Sequence, residues 1–137
     1  MNSSIANLVE QGNKCPYYRL IGMEIEDVRK DYARLSIEIE RKHTQFFGTV
    51  HGGVTASLAD SAAAWAIYGS GNLGGSPVTV EMKINFLKPI RRGRLIAEAR
   101  NLHKGSRIFV SEVEVKDSEG VLVAKSLVTY LIVKDAQ

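Results

Sequence analysis

The sequence predicts an α+β fold in which a curved antiparallel sheet wraps one central helix. Three observations lead there. Val54–Tyr68 has the length and alanine content of a helix, and 11 of its 15 residues are apolar, the exceptions being Thr55, Ser57, Asp60 and Ser61. A surface helix would show a charged face, so this one is expected to be buried on most sides. Val78, Val80, Met82, Ile84 and Phe86 alternate strictly with Thr79, Glu81, Lys83 and Asn85, which is the period of a strand. Strand-like segments flank the helix, two before it and four after, an order that a sheet folded around a single helix satisfies.

Each element carries its own signal. Ser4–Gln11 reads as a short helix capped by Ser3 or Ser4. Leu20–Val28 reads as a strand, Arg29–Asp31 as a turn and Tyr32–Glu40 as a second strand. In that second strand Ala33, Leu35, Ile37 and Ile39 share one face, and Arg34, Ser36, Glu38 and Glu40 the other. Arg41–His51 is a loop, Gly52-Gly53 opens the helix, and Gly69, Gly71, Gly74 and Gly75 follow its end. Pro77 precedes the alternating strand and Pro89 stops it. Arg94–Leu102, Arg107–Lys116 and Val121–Val133 supply three more strands, joined by turns at His103–Ser106 and Asp117–Gly120. The edges of so small a sheet invite pairing, so a homodimer with a continuous sheet and two equivalent sites is expected.

A chain of 137 residues corresponds to one domain, 1–137, and 45% apolar with 24% charged residues is ordinary for a globular protein. The lone Cys15 makes no intrachain disulfide, no N-terminal segment resembles a signal peptide, and no apolar run reaches a membrane span. A cytoplasmic location is the resulting expectation. The net charge of +3 is uneven: residues 88–107 hold Lys88, Arg91, Arg92, Arg94, Arg100, Lys104 and Arg107 against Glu98 alone. Such a stretch is either a solvated strand face or a surface for an anion such as phosphate. It lacks the interleaved aromatics of a nucleic-acid surface.

Asp60 is the most informative position, since it is the one charged residue in the buried helix. A lone buried carboxylate is costly, and Ala or Ser would pack more easily there. It is therefore read as a general base or nucleophile in a partly dry cleft. Gly52-Gly53 places unpaired N–H groups and the positive end of a helix dipole where a polarised carbonyl can approach the backbone. Together these are half of an acyl-transfer site. His51 either polarises a carbonyl or binds its own loop. A metal site of His43, His51 and Asp60 is too widely spaced to be expected, and Cys15 has no partner for a catalytic role. Gly69–Gly74 matches G-x-G-x-x-G by letter, but a helix precedes it and a strand follows, the reverse of the dinucleotide fingerprint.

The segment His43-Thr44-Gln45-Phe46-Phe47-Gly48-Thr49-Val50-His51-Gly52-Gly53-Val54, followed by Leu58-Ala59-Asp60, resembles the hotdog-fold acyl-CoA thioesterases. Within the 4-hydroxybenzoyl-CoA thioesterase superfamily it is most similar to the phenylacetate-pathway and human-type branch, over about Gly22 to Val133. The resemblance implies hydrolysis of an aryl- or acyl-CoA to the free acid and coenzyme A, at sites on a dimer interface, in a homodimer or a homotetramer of two dimers. It implies Asp60 as the catalytic carboxylate, Gly52 or Gly53 as donor to the thioester carbonyl, and His51 beside them. Gln45 would orient thioester or water, and Thr79 would reach the site from the partner subunit. His103, Lys104, Gly105, Ser106, Arg107 and Ile108 match the segment that holds coenzyme A, with Thr79, Glu81 and Phe86 lining the same channel. Ala64 departs from relatives with Ser or Thr there, which makes Thr79 the better hydroxyl. Coenzyme A is part of the substrate, and no metal or other cofactor is expected. A non-catalytic acyl-CoA binder would keep the cations without needing Asp60. A hotdog dehydratase or isomerase would recruit His51 and Asp60 but wants a proline-rich setting that is missing.

Overall fold

Two short helices open the chain where one was expected, in a computed structural model that describes residues 1–134. The last three residues of the predicted domain, 135–137, lie outside the described residues. Helix α1 (Ser3–Gly12) is capped by Asn2, whose side chain accepts from Ile5 N–H, rather than by Ser3 or Ser4. Helix α2 (Pro16–Ile21) takes the first residues of the predicted strand Leu20–Val28. Pro16 is pre-set for a helix's first turn, and Gly22, at φ 73°, ends that helix in the left-handed conformation. Strand β1 (Met23–Arg29) therefore begins three residues late, and Leu20 is 68% exposed on the helix.

β1 pairs with β2 (Tyr32–Glu38) in a hairpin. A single 3-10 turn, Arg41–His43, follows in the predicted loop, and His43 is 2% exposed there. Its Nδ1 accepts from Glu40 N–H at 2.8 Å, and Nε2 lies 2.6 Å from the Ile21 carbonyl, so one nitrogen closes the turn on itself and the other ties it to α2. His43 is a structural residue with no lone pair left for a metal. His43→Leu is expected to cost about 2 kcal/mol in urea unfolding, because it leaves an N–H and a carbonyl without partners.

The central helix α3 (Gly52–Tyr68) starts two residues earlier than its apolar run. β3 (Gly75–Phe86), β4 (Arg94–Lys104), β5 (Ile108–Lys116) and β6 (Leu122–Lys134) complete one six-stranded antiparallel sheet in the order β1-β2-β4-β5-β6-β3. This is the predicted hotdog architecture. Leu58, Ala59, Ala62, Ala63, Ala66 and Ile67 of α3 are fully buried together with Leu35, Ile37, Leu95, Ala97, Val113, Val115 and Val128 of the sheet. Small alanines let the backbone of the helix lie close to the sheet that curves around it. The remaining face, with Ala56, Ser57, Asp60, Ser61 and Ala64, is only half-buried. α2 is tied to that face by Tyr17 and Ser57 hydroxyls at 2.6 Å, and by Trp65 Nε1 donating to Tyr18 Oη at 3.1 Å.

β3 is an edge strand, which is why it extends back through Pro77: the missing N–H costs no sheet bond at an edge. Val78 and Val80 are 44% and 58% exposed on it. A twelve-residue edge strand with open valines is a ready template for pairing.

Candidate active site

The N-terminus of α3 is set by the loop before it. His51 N–H donates to the His43 carbonyl at 2.9 Å and Val50 N–H to the Ile90 carbonyl at 2.7 Å, fixing the loop to the buried turn and to the β3–β4 connection. His51 caps the helix: its Nδ1 accepts from Gly53 N–H at 2.8 Å, which places the neutral ring's proton on Nε2. Gly53 is thereby engaged. Gly52 N–H has no acceptor in the chain among the described residues. A Cβ on residue 52 would stand 3.2 Å from the Phe86 ring, so glycine keeps this donor open to approach.

Gly52 lines a cleft of about 440 Å³ with Gln45, Thr49, Thr55, Phe86 and Lys88. Gln45 is held in the cleft wall by its own turn: Nε2 donates to Thr49 Oγ1 and Oε1 accepts from Phe47 N–H. Arg91 secures the same turn by donating to the Phe47 carbonyl at 3.1 Å. One uncommitted backbone donor at the positive end of a helix, beside an amide, can polarise a carbonyl.

Asp60 stands elsewhere. Its Oδ1 accepts from Thr79 Oγ1 at 2.8 Å and from Tyr130 Oη at 2.7 Å. The same Tyr130 hydroxyl is 2.7 Å from the Asp60 carbonyl oxygen. Thr79 and Tyr130 face each other across β3 and β6 in register. Burial first, then the negative charge of Asp60, push the Tyr130 phenol far above its ordinary range, so it remains a proton donor. Burial likewise raises Tyr18, which α2 brings near Ser61 and Trp65. Thr79 was expected to arrive from a partner subunit; it bonds Asp60 of its own chain, because α3 crosses this end of β3. Tyr130 was not among the predicted residues. Its signal was a tyrosine at an inward position of β6, between Val128 and Ile132, where a buried hydroxyl requires a partner.

The other predicted groups fall into separate places. Phe86 borders the Gly52 cleft, seven residues along β3 from Thr79, so the two do not line one channel within a chain. Glu81 is exposed between them. His103, Lys104, Ser106, Arg107 and Ile108 are exposed at the tip of the β4–β5 hairpin, with Gly105 half-buried. This tip lies at the Thr79 end of the sheet, since Lys104, Phe109, Tyr130 and Thr79 form one row across β4, β5, β6 and β3.

The basic stretch is less uniform than its sequence suggested. Lys88 pairs with Asp117, Arg94 with Glu26 and Lys104 with Asp31, while Arg100 stacks on Tyr32. Arg92 and Arg107 have no carboxylate partner among the described residues.

The chain thus combines a hotdog sheet around one helix with an open backbone donor at the helix start and a hydroxyl-braced carboxylate further along it. Residues 47–124 match the model of the thioesterase superfamily, and the chain belongs to that family. It is 35% identical to a provisionally named esterase of Saccharolobus solfataricus over 86% of this chain and 78% of that protein. It is 26% identical to the medium/long-chain acyl-CoA thioesterase YigI of Escherichia coli, over 85% of each chain. The crystal structure of thioesterase HI1161 from Haemophilus influenzae superposes with a TM-score of 0.87 at 25% identity, covering 98% of this chain and 93% of that one. No helix among the described residues is long and apolar enough to cross a membrane.

Proposed function

We propose that the protein is an acyl-CoA thioesterase whose working site is shared by two copies of the chain. The observation that carries this reading is the spacing of its two chemical groups on one rigid helix. Gly52 and Asp60 are eight residues apart, which is about 12 Å along the axis. That separation favours a site in which the two groups come from different chains. A two-fold axis at the open β3 edge runs the second copy antiparallel, bringing its Asp60–Thr79 end toward the Gly52–Phe86 end of the first. A homodimer, alone or as half of a tetramer, then has two complete sites.

In such a site Gly52 N–H and the α3 dipole bind the thioester oxygen, with Gln45 beside it to orient thioester or water. Asp60 of the other copy takes a proton from water as the oxygen of that water attacks the carbonyl carbon. The tetrahedral adduct then expels the coenzyme A thiolate, which is protonated on release, and the acid remains. His51 caps the helix and holds Gly53, so its contribution is to keep Gly52 presented. Coenzyme A enters as substrate, and this route uses no metal.

The hairpin tip of His103, Lys104, Gly105, Ser106, Arg107 and Ile108 is the proposed hold on the coenzyme A phosphates, with Thr79 and Glu81 nearby on β3. Arg107 is its uncommitted cation. Arg107→Ala is expected to raise KM for acyl-CoA about tenfold while leaving the corresponding phosphate-free pantetheine thioester unaffected. Equal effects on both substrates would remove the phosphate assignment.

The deciding experiment is release of free thiol from a panel of aromatic, medium-chain and long-chain acyl-CoAs. Turnover of one acyl class over the others supports the reading and names the acid. Tight binding of coenzyme A esters with no thiol released would instead mark a non-catalytic acyl-CoA binder.

A further inference from the structure

We infer that Tyr130 is a positioning residue for Asp60, and that with Thr79 it selects the carboxylate oxygen that does the chemistry. The inference rests on the thioesterase reading above and concerns how its base is held. Tyr130 is 3% exposed on β6 and Thr79 is its cross-strand partner on β3, so both donors come from one rung of the sheet. Both converge on Oδ1, at 2.7 and 2.8 Å. Among the described residues no protein donor reaches Oδ2. One oxygen is therefore occupied from the sheet side, and the other is free to face a water.

The tyrosine hydroxyl is not needed for packing or for the helix. Phenylalanine fills the same volume, and the Asp60 carbonyl lies inside α3, where the N–H four residues on already serves it. What the hydroxyl adds is a second donor to the Asp60 carboxylate. Its contact with the carbonyl as well as the carboxylate of Asp60 ties the side chain to its own backbone. That fixes the rotamer of a side chain which otherwise rests on Thr79 alone. The opposite role, in which Asp60 merely satisfies a buried tyrosine, predicts a change in stability and none in the pH dependence of turnover.

The test compares wild type, Asp60→Asn, Tyr130→Phe, Thr79→Val and Thr79→Ser by kcat, KM, pH profile and thermal melting. Tyr130→Phe is expected to melt near wild type, keep KM within about twofold, and lose 10- to 100-fold in kcat, on the order of one positioned hydrogen bond to a charged group. The acidic limb of its kcat/KM profile moves to higher pH, since a carboxylate with fewer donors is easier to protonate. Thr79→Val moves the limb the same way and Thr79→Ser restores it. Placing 3-fluorotyrosine at 130, which keeps the ring and strengthens the donor, moves the limb the other way and covers the case in which the phenylalanine variant fails to fold. An unmoved limb in the tyrosine substitutions, with Asp60→Asn inactive, overturns the positioning role and leaves the thioesterase reading standing. A wild type that cleaves no thioester overturns both.

Discussion

Asp60→Asn is expected to fold as wild type does and to lose about 10³-fold or more in kcat for thioester hydrolysis. Asparagine keeps an Oδ1 that accepts from Thr79 and Tyr130, so the contacts that the folded state needs survive. What disappears is the base on the other oxygen, and general-base or nucleophilic assistance of this kind is worth about 10²–10⁴ in rate. KM should change little, because the amide is isosteric and the proposed coenzyme A hold is on the β4–β5 hairpin. Steady-state thiol release with a matched melting curve measures both. A variant with wild-type kcat would take the chemistry away from Asp60.

The second large effect concerns the backbone donor. Gly52→Pro is expected to lower kcat about 10²–10³-fold, the range seen when one donor to a developing oxyanion is removed. Gly52 is the first residue of α3, where proline is well tolerated, so the substitution deletes the N–H without breaking the helix. The added ring meets Phe86, which is 54% exposed and has room to turn. Mixing this inactive variant with inactive Asp60→Asn then gives a sharper result. In a mixed dimer one site is built from an intact Gly52 and an intact Asp60, and the other has neither. Half the dimers are mixed, so about one quarter of wild-type activity should return on subunit exchange. No recovery, with exchange verified, would place both groups of a site on one chain.

Much of this fold was legible because its elements obey simple periods. The β3 alternation and the largely apolar run from Val54 to Tyr68 each mapped onto one element, and the strand order around the helix left few ways to fold. α2 was missed because six residues are too few to show a helical period, and Leu20 and Ile21 continue the apolar pattern of β1. The cues were the proline at its start and Gly22 at its end. Asp60 was legible as a charge in an apolar helix, whereas Tyr130 was not. A tyrosine in a strand is ordinary, and only the register of β6 against β3 shows that it shares a target with Thr79. The basic stretch was misleading for the same reason. Its acids, Glu26, Asp31 and Asp117, lie far away in sequence, and a linear charge count cannot see them. The split between Gly52 and Asp60 was in the sequence all along, as eight residues at a helical rise.

That spacing has a consequence for how such an enzyme responds to its own abundance. On the proposed two-chain site, with donor and base on opposite stretches of one helix, an isolated chain would hold no complete site, and catalysis would begin only when two chains meet along β3. Specific activity then follows mass action. It is constant while the dimer persists and falls on dilution through the dimer's Kd. Well below that point, total turnover grows with the square of the chain concentration.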